Sequence, residues 1–440
     1  MSRPSLKSKS KSGASLNSTA STTDRRSFCH SLLHASTGIA LTAPVAPTVF
    51  ARKHSTVRVL GTHVTLQEEL RQRAEQDLGI RLVFHPGGSA KILHRASTQP
   101  ESFDLYEQWS NSIGVLWQAG AIQPIEKARI RMWDQVNSLT KSGKLTPNAK
   151  IGAGDAPYRL LYVQKDGLLD STPSRHLSFL PYVHNADSYG YNSSIIPQGI
   201  PYQTESWGWL LDERYKGRVA LVNAPTIGIF DAALAVQAKG WMKFTDIGNL
   251  SRHELDQLFK ILIEKKREGH FRGVWSSVPQ SVEFMEQGVV VQSMFSPGVS
   301  TLNSRGIPCI YAAPKEGYRA WHGVMCLSSK THGSIKDAAY EYMNWWLSGW
   351  PGAFIARQGY YISTPHLSKP YLSQQEWDYW YGGKKTEKDL KGTDGQISVR
   401  RGSSRSGGSY ETRFSNIAVW NTVMPHYEYS LSKWNEFLLT

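Results

Sequence analysis

The loop Asn223–Gly228 is the stretch of this sequence best suited to binding chemistry. It follows a predicted buried strand at 218–222, and open α/β sheets place ligands at the carboxyl ends of their strands. A helix is predicted from about residue 228, and the free N–H groups at a helix start can hold acceptor atoms. Thr226 adds a hydroxyl donor, and Asp231 in the first turn suits the positive end of the helix dipole. The loop therefore predicts a site for acceptor atoms.

Motifs for covalent or nucleotide chemistry do not occur in the sequence. There is no H-E-x-x-H, G-x-S-x-G or C-x-x-C, and the turn at 87–89 lacks P-loop spacing. Cys309 and Cys326 have no nearby cluster of histidines that would indicate a metal site. They either form a disulfide in an oxidising compartment or remain two buried thiols. The sequence thus predicts no metal, no cofactor and no enzymatic activity, with an exported enzyme of unknown reaction as the competing class.

Composition places the chain among ordinary soluble proteins. Its 440 residues suggest two or three domains, or two lobes of one protein. Fifty Lys and Arg against 36 Asp and Glu give a formal net charge of +14. No tight basic patch interleaved with aromatic residues accompanies this excess, so nucleic acid is not an expected partner.

Residues 1–51 have the layout of a signal peptide. A Ser- and Lys-rich start leads to Arg25 and Arg26, and the apolar run Ser31–Phe50 carries no charged residue. The paired arginines resemble a twin-arginine export signal, and the alternative is a chance pair before an ordinary export signal. Either signal predicts a protein that is exported and soluble after cleavage.

The elements that position the loops follow a regular order. Three strand–loop–helix units, with strands near 57–61, 80–84 and 103–106, predict a parallel sheet covered by helices. Thr65 and Glu68 match a helix capping box. Residues 384–409 are rich in Lys, Arg, Ser and Gly, which predicts a mobile surface loop, with a contact to an acidic partner as the alternative.

The order of these pieces resembles the extracellular solute-binding proteins of bacterial ABC importers, specifically the spermidine/putrescine-binding branch. The resemblance covers nearly the whole mature chain. Six motifs carry it: Phe103-Asp104-Leu105 with Gly120-Ala121-Ile122-Gln123-Pro124-Ile125; Ser188-Tyr189-Gly190-Tyr191-Asn192; Ser206-Trp207 with Leu211 and Tyr215-Lys216-Gly217-Arg218-Val219-Ala220; Glu286-Gln287-Gly288-Val289; Pro314-Lys315-Glu316-Gly317 with Trp321; and Gln358-Gly359-Tyr360.

This resemblance implies an α/β fold of the two-lobed periplasmic binding protein type (type II). Each lobe has a mainly parallel sheet, and the ligand cleft lies between the lobes. Lobe 1 is expected at 52–186 and 298–335, and lobe 2 at 187–297 and 336–440, with the mobile basic loop at about 384–409. Hinge bending closes such lobes on a ligand. The implied partners are a small solute and an inner-membrane ABC permease, and the protein is expected to be a periplasmic monomer.

Polyamine binders line their cleft with aromatic rings and with acids that hold ammonium groups. The corresponding loops of this sequence show no acid, which predicts a neutral or anionic solute that is not a polyamine. For each aromatic candidate, a place in the core is the alternative. The adjacent Tyr360 and Tyr361 leave open a ferric-iron binder on the same scaffold. The candidate ligand-binding residues are Trp109, Ser110, Asn111, Thr226, Trp275, Phe295, Ser296, Trp321, His322 and Tyr361.

Overall fold

The computed structural model describes residues 55–440, so the predicted signal peptide (residues 1–51) lies outside the described residues. The strands are β1 Thr56–Gly61, β2 Arg81–Pro86, β3 Leu105–Trp109, β4 Ile122–Gln123, β5 Ile125–Glu126, β6 Ala153–Gly154, β7 Tyr162–Val163, β8 Leu169–Asp170, β9 His176–Leu177, β10 Leu180–Asn192, β11 Val219–Val222, β12 Phe271–Trp275, β13 Val291–Met294, β14 Cys309–Tyr311, β15 Tyr318–Ser328, β16 Tyr361–Ile362, β17 Leu390–Lys391, β18 Ile397–Val399 and β19 Ile417–Trp420.

The α-helices separate these strands along the chain. They are α1 Glu68–Leu78, α2 Ser89–Thr98, α3 Ile113–Gln118, α4 Ser138–Ser142, α5 Pro225–Ala238, α6 Arg252–Arg267, α7 Val278–Glu286, α8 Ser296–Ser304, α9 Gly333–Trp346, α10 Trp350–Ala356, α11 Pro365–Ser368, α12 Gln374–Trp380, α13 Tyr410–Phe414 and α14 Tyr427–Leu439. Within residues 55–440, none of the helices combines the length and apolar character needed to cross a membrane.

The main sheet has the strand order β12-β11-β13-β10-β15-β3-β1-β2. At one end β1 pairs in parallel with β2 and β3, as the repeated strand–loop–helix units predicted. At the other end β11 pairs in parallel with β12 and β13. The long strands β10 and β15 join these two parallel regions through antiparallel pairing. The chain therefore has the predicted α/β fold with two lobes.

Strand β10 is the connection between the two lobes. All of its 13 residues are buried. Up to Asp187 it pairs with β15, and from Ser188 it pairs with β13. The sequence predicted only residues 189–192 as a strand, because buried polar residues such as His184 interrupt the apolar pattern that normally reveals a strand.

Two large cores lie at the two ends of the main sheet. One combines buried side chains of β1, α1, β3 and α9, and the other combines those of β11, α5, α6 and α14. Helix α9 and the following chain to Ile362 contribute to the first core. The lobe boundaries remain a prediction, and this packing leads us to propose that 336–362 belong to lobe 1 rather than to lobe 2.

Two helix starts differ from the sequence prediction. Helix α1 begins at Glu68 with Gln67 as N-cap and without a side-chain cap, so the predicted capping box is wrong. The Thr65 hydroxyl instead accepts a hydrogen bond from the Tyr182 hydroxyl at 3.0 Å. Helix α5 begins at Pro225, since proline fits the first turn of a helix. Asp231 consequently lies in the second turn rather than the first.

The basic segment, residues 384–409, contains the antiparallel pair β17–β18. It buries Leu390, Val399 and Arg405 against the rest of the protein. These contacts give the segment a defined fold, while its mobility remains a prediction. Cys309 and Cys326 are both free thiols and both buried, which agrees with the second of the two alternatives.

Candidate functional site

A small cavity lies where loops and strands of the two lobes meet, and we call it the cleft cavity. Its volume is about 30 Å³. A space of this size holds about one water molecule. The cavity would have to widen before it could hold an organic solute. The cleft cavity is lined by Val64, Trp109, Asp187, Ile227, Phe295, Trp321, Tyr360 and Asn421.

Aromatic rings form much of the wall of the cleft cavity. The ring centroids of Trp109 and Trp321 are 6.4 Å apart, and those of Trp321 and Tyr360 are 5.6 Å apart. Phe295, which directly precedes α8, packs edge-to-face against Trp275, with 5.1 Å between the ring centroids. Such rings provide flat apolar surfaces and faces that attract cations.

Asp187 brings a carboxylate to the cleft cavity. It accepts hydrogen bonds from Trp321 Nε1 at 2.8 Å, from the Tyr311 hydroxyl at 3.0 Å and from Asn185 Nδ2 at 2.9 Å. A carboxylate offers about four acceptor positions, so one remains for a ligand. The sequence predicted a cleft without acids, and this prediction is wrong. The acid comes from Asp187 within β10, directly before the motif Ser188–Asn192, and not from one of the loops that the sequence indicated.

A buried arginine stands behind Asp187. Arg319 Nε donates to Asp231 Oδ1 at 2.6 Å, and Arg319 Nη1 lies 3.7 Å from Asp187 Oδ2. All three side chains have at most 1% exposure. Burial raises the pKa of both carboxyl groups, and the guanidinium partly opposes that rise. One cation faces two acids, so the cluster cannot attract an anion through net charge.

Asn421 adds a donor to the same cavity. Its Oδ1 accepts from Arg319 Nη1 at 3.2 Å, which fixes the orientation of the amide. Its Nδ2 is buried and has no partner within residues 55–440. A buried donor without a partner is costly, so this nitrogen is suited to bind a ligand acceptor. Asn421 directly follows β19, and no motif in that part of the sequence indicated a functional residue.

The structure brings three of the ten predicted site residues to the cleft cavity: Trp109, Phe295 and Trp321. Trp275 lies behind Phe295, and its Nε1 donates to the Ser293 carbonyl. Ile227, rather than the half-buried Thr226, lines the cavity from helix α5. Three other predicted site residues, Ser110, Asn111 and Ser296, do not line the cleft cavity. Ser110 and Asn111 are buried in a 3-10 turn after β3, and Ser296 lines a different, larger cavity.

His322 and Tyr361 point away from the cleft cavity. His322 Nε2 lies 2.8 Å from the Thr140 hydroxyl, and its ring stacks on His184 at 4.7 Å. Burial lowers the pKa of His322 to about 4. Tyr361 packs against Tyr410 at 4.5 Å. Because neighbouring residues of a strand point to opposite faces, the predicted Trp321 faces the cleft cavity and the predicted His322 does not. Tyr360 lines the cavity in place of the predicted Tyr361.

No family model matches the sequence. Solved structures do match over most of the chain. The spermidine/putrescine substrate-binding protein PotD of Streptococcus pneumoniae aligns with a TM-score of 0.57 and 12% identity, covering 88% of this chain and 98% of that one. The TpPotD lipoprotein of Treponema pallidum aligns with a TM-score of 0.61 and 11% identity, covering 88% and 100%. The chain shares the fold of ABC-transporter substrate-binding proteins.

Another protein of this fold carries a different ligand. The binding protein AgtB of Agrobacterium tumefaciens, solved with agropinic acid, aligns with a TM-score of 0.57 and 11% identity, covering 88% of this chain and 99% of that one. Proteins with this fold therefore do not all bind polyamines, and the fold alone does not name the solute.

The described residues contain no cluster of side chains suited to a metal centre. Within 55–440, no group of three or more His, Cys, Asp or Glu side chains is placed to hold a metal ion. Tyr360 and Tyr361, which suggested a ferric-iron binder, contribute to two different cores. Their hydroxyl groups therefore do not converge on one ion.

Proposed function

We propose that this protein is the solute-binding receptor of an ABC importer and that it catalyses no reaction. The observation that supports this most is the cleft cavity, where aromatic walls surround one free acceptor on Asp187 and one free donor on Asn421. The site holds hydrogen-bonding groups for recognition. A fold shared with substrate-binding proteins of such importers agrees with this role.

The proposed solute is a small, net-neutral amino compound, such as an amino acid. Its ammonium group donates to Asp187, and cations of this kind also pack well against Trp321 and Tyr360. Its carboxylate or carbonyl group accepts from Asn421 Nδ2. The apolar part of the solute packs against Trp109 and Phe295.

The charges of the site disfavour the two other solute classes. A polyamine carries several ammonium groups, but Asp187 is the one carboxylate among the described residues that line the cleft cavity. An anion would face Asp187 without a free cation to balance it, since Arg319 already contacts two carboxylates. Of the neutral and anionic solutes that the sequence allowed, the neutral one fits this geometry better.

We further propose that the protein is exported to the periplasm and delivers its solute to an inner-membrane permease. This part depends on the signal peptide predicted at residues 1–51, with its Arg25-Arg26 pair, which lies outside the described residues. Fractionation of cells producing the full chain tests it, with Arg25→Lys/Arg26→Lys as the variant specific to the twin-arginine route. Retention of that double variant in the cytoplasm is expected, and its normal export would overturn that route.

The solute is identified by a thermal-shift screen of the purified protein against amino acids, sugars, polyamines, thiamine, phosphonates and ferric iron. A ligand at 100 times its Kd raises the free energy of unfolding by about 2.7 kcal/mol. We expect stabilisation by an amino compound of neutral net charge. Micromolar stabilisation by spermidine or putrescine would overturn the proposed solute class.

Asp187→Asn is the decisive variant for the cleft cavity. It should weaken binding of the amino solute about 10- to 100-fold, since a hydrogen bond to a charged group contributes about 1.5–3 kcal/mol. The exposed Asp166→Asn is the matched control and should leave binding unchanged. Equal affinity of both variants would show that the solute does not contact Asp187.

A further inference from the structure

A second and much larger cavity lies beside the basic segment, and we call it the basic cavity. Its volume is about 780 Å³, which is within the range of small-molecule sites. Its walls come from α8, β14, α12 and residues 398–408. The basic cavity shares no lining residue with the cleft cavity.

The charged side chains that line the basic cavity are all positive. Arg400 and Arg405 line it, and its lining contains no Asp or Glu. Arg405 is only 7% exposed. It has no ion-pair partner among residues 55–440, and burial lowers its pKa. A buried guanidinium without a carboxylate is costly, because nothing compensates for the loss of its hydration.

The surroundings of Arg405 hold its guanidinium without neutralising it. Nη2 donates to the Gly359 carbonyl at 2.7 Å, and Nη1 donates to the Trp380 carbonyl at 3.4 Å. The guanidinium lies 4.7 Å from the ring centre of Tyr361 and 5.2 Å from that of Trp380. These contacts fix the side chain in place and leave its full positive charge at the cavity.

The backbone next to Arg405 presents further donors. The N–H groups of Ser404, Arg405, Ser406 and Gly407 have no acceptor within residues 55–440. All four residues line the basic cavity. Successive N–H groups that converge on one point can bind an anion. Gly407 has a φ of 86°, and a Cβ there would lie 2.0 Å from the Tyr318 hydroxyl, so this backbone shape requires glycine.

We propose that the basic cavity is a second ligand site, independent of the cleft cavity, that binds a small phosphate ester. The four N–H groups and Arg405 offer many hydrogen-bond donors. A phosphate group, with three acceptor oxygens, matches this number better than a carboxylate, which has two. The organic part packs against Val299, Ile310 and Trp380, which line the same cavity.

Glycerol 3-phosphate is the probe, and calorimetric titration of the full-length protein is the measurement. Inorganic phosphate and uncharged glycerol are titrated in parallel, to separate the phosphate group from the organic part. We expect glycerol 3-phosphate to bind most tightly, inorganic phosphate about tenfold more weakly, and glycerol not at all. No heat from either phosphate at about 1 mM, or equal binding of glycerol, would overturn the proposal.

Ser300 supplies a matched pair of variants that spares the buried arginine. It lies on α8, is half-buried and lines the basic cavity. Ser300→Glu places a carboxylate in the cavity and should abolish phosphate binding, whereas Ser300→Gln, of similar size, should retain most of it. Equal weakening by both would indicate a steric effect and would contradict an anion site.

Two further variants separate this site from its alternatives. Arg401→Gln removes an exposed charge of the basic segment that does not line the cavity, and it should bind glycerol 3-phosphate like the wild type. A loss with Arg401→Gln as large as that with Ser300→Glu would point to general charge attraction instead. Asp187→Asn should also leave phosphate binding unchanged, so failure at one cavity is distinguishable from failure at the other.

Discussion

The cleft cavity and the basic cavity each have a buried arginine nearby, and the two arginines differ in whether a carboxylate neutralises their charge. At the cleft, Arg319 lies between two carboxylates, 2.6 Å from Asp231 and 3.7 Å from Asp187. At the basic cavity, Arg405 contacts carbonyl groups and aromatic faces. The first arginine holds two side chains that line the cleft cavity, those of Asp187 and Asn421, and the second has no carboxylate partner among residues 55–440. A buried charge thus indicates either a scaffold or a binding group, depending on its partners.

The same two strands serve both regions. On β10 and β15, Asp187 and Trp321 face the cleft cavity. Ala186 and Ala320 belong to the core that also contains Tyr361 and Tyr410, next to the basic segment. Alternation along a strand therefore separates two chemical environments by a single residue.

Replacing the two arginines by methionine should give the largest difference between the two cavities. Arg319→Met leaves two buried carboxylates without a counter-charge, which costs about 3–5 kcal/mol of unfolding free energy. Arg405→Met removes a buried charge that has no acidic partner, so its cost should be below about 2 kcal/mol. Urea unfolding at pH 7 measures both. An equal loss of unfolding free energy in the two variants would show that the surroundings stabilise the charge of Arg405 as strongly as that of Arg319.

Acid should destabilise the protein through His322, which lies on the face of β15 opposite the cleft. Burial lowers its pKa from 6.5 to about 4, so the unfolded chain takes up a proton first as the pH falls. This contribution is complete above pH 6.5 and is lost between pH 6.5 and 4, by about 3 kcal/mol.

The measurement is the melting temperature of wild type and His322→Gln across that pH range. The melting temperature of the variant should fall less steeply as the pH is lowered. Some fall remains because burial also lowers the pKa of His184, which both proteins retain. A pH dependence identical to that of the wild type would mean that His322 is not the titrating group.

Two glycines test how closely the basic segment packs. Gly407 and Gly395 both have positive φ, at 86° and 76°. An alanine at either position costs about 1 kcal/mol of backbone strain. Only at position 407 does the added Cβ also meet the Tyr318 hydroxyl, whereas position 395 has open space. Gly407→Ala should therefore be the more destabilising by about 1–3 kcal/mol in thermal unfolding. Equal costs would show that the segment yields to the added methyl group.

Two tryptophans give the smallest expected contrast. Trp321 Nε1 donates to Asp187, whereas Trp380 Nε1 is buried without a partner among the described residues. Trp321→Phe should cost about 1.5 kcal/mol more than Trp380→Phe, because only the first loses a hydrogen bond to a charged group. Urea unfolding of the two variants measures the difference, and a reversed order would contradict the assigned partners.

Local patterns predicted the strand–loop–helix units, and the resemblance to solute-binding proteins predicted their arrangement in two lobes. The strand–loop–helix units around β1, β2 and β3 and the strand before α5 carry regular apolar spacing and turn residues. The site was predicted less completely. Trp109, Phe295 and Trp321 were named from their loops and strand ends, but Asp187 and Asn421 depend on which strands become neighbours. Naming His322 beside Trp321, and Tyr361 in place of Tyr360, depended on which face of a strand each residue occupies, which local patterns do not determine.

Strand β10 changes its partner between Asp187, which is opposite Arg319, and Ser188, which is opposite Met294. Under the proposed receptor function, lobe opening by rotation at this junction would displace distant loops far and the residues beside the junction little. Asp187 and Trp321 both lie beside it and are joined by a hydrogen bond. The carboxylate and the indole ring would therefore form an anchor that is already assembled when a solute arrives.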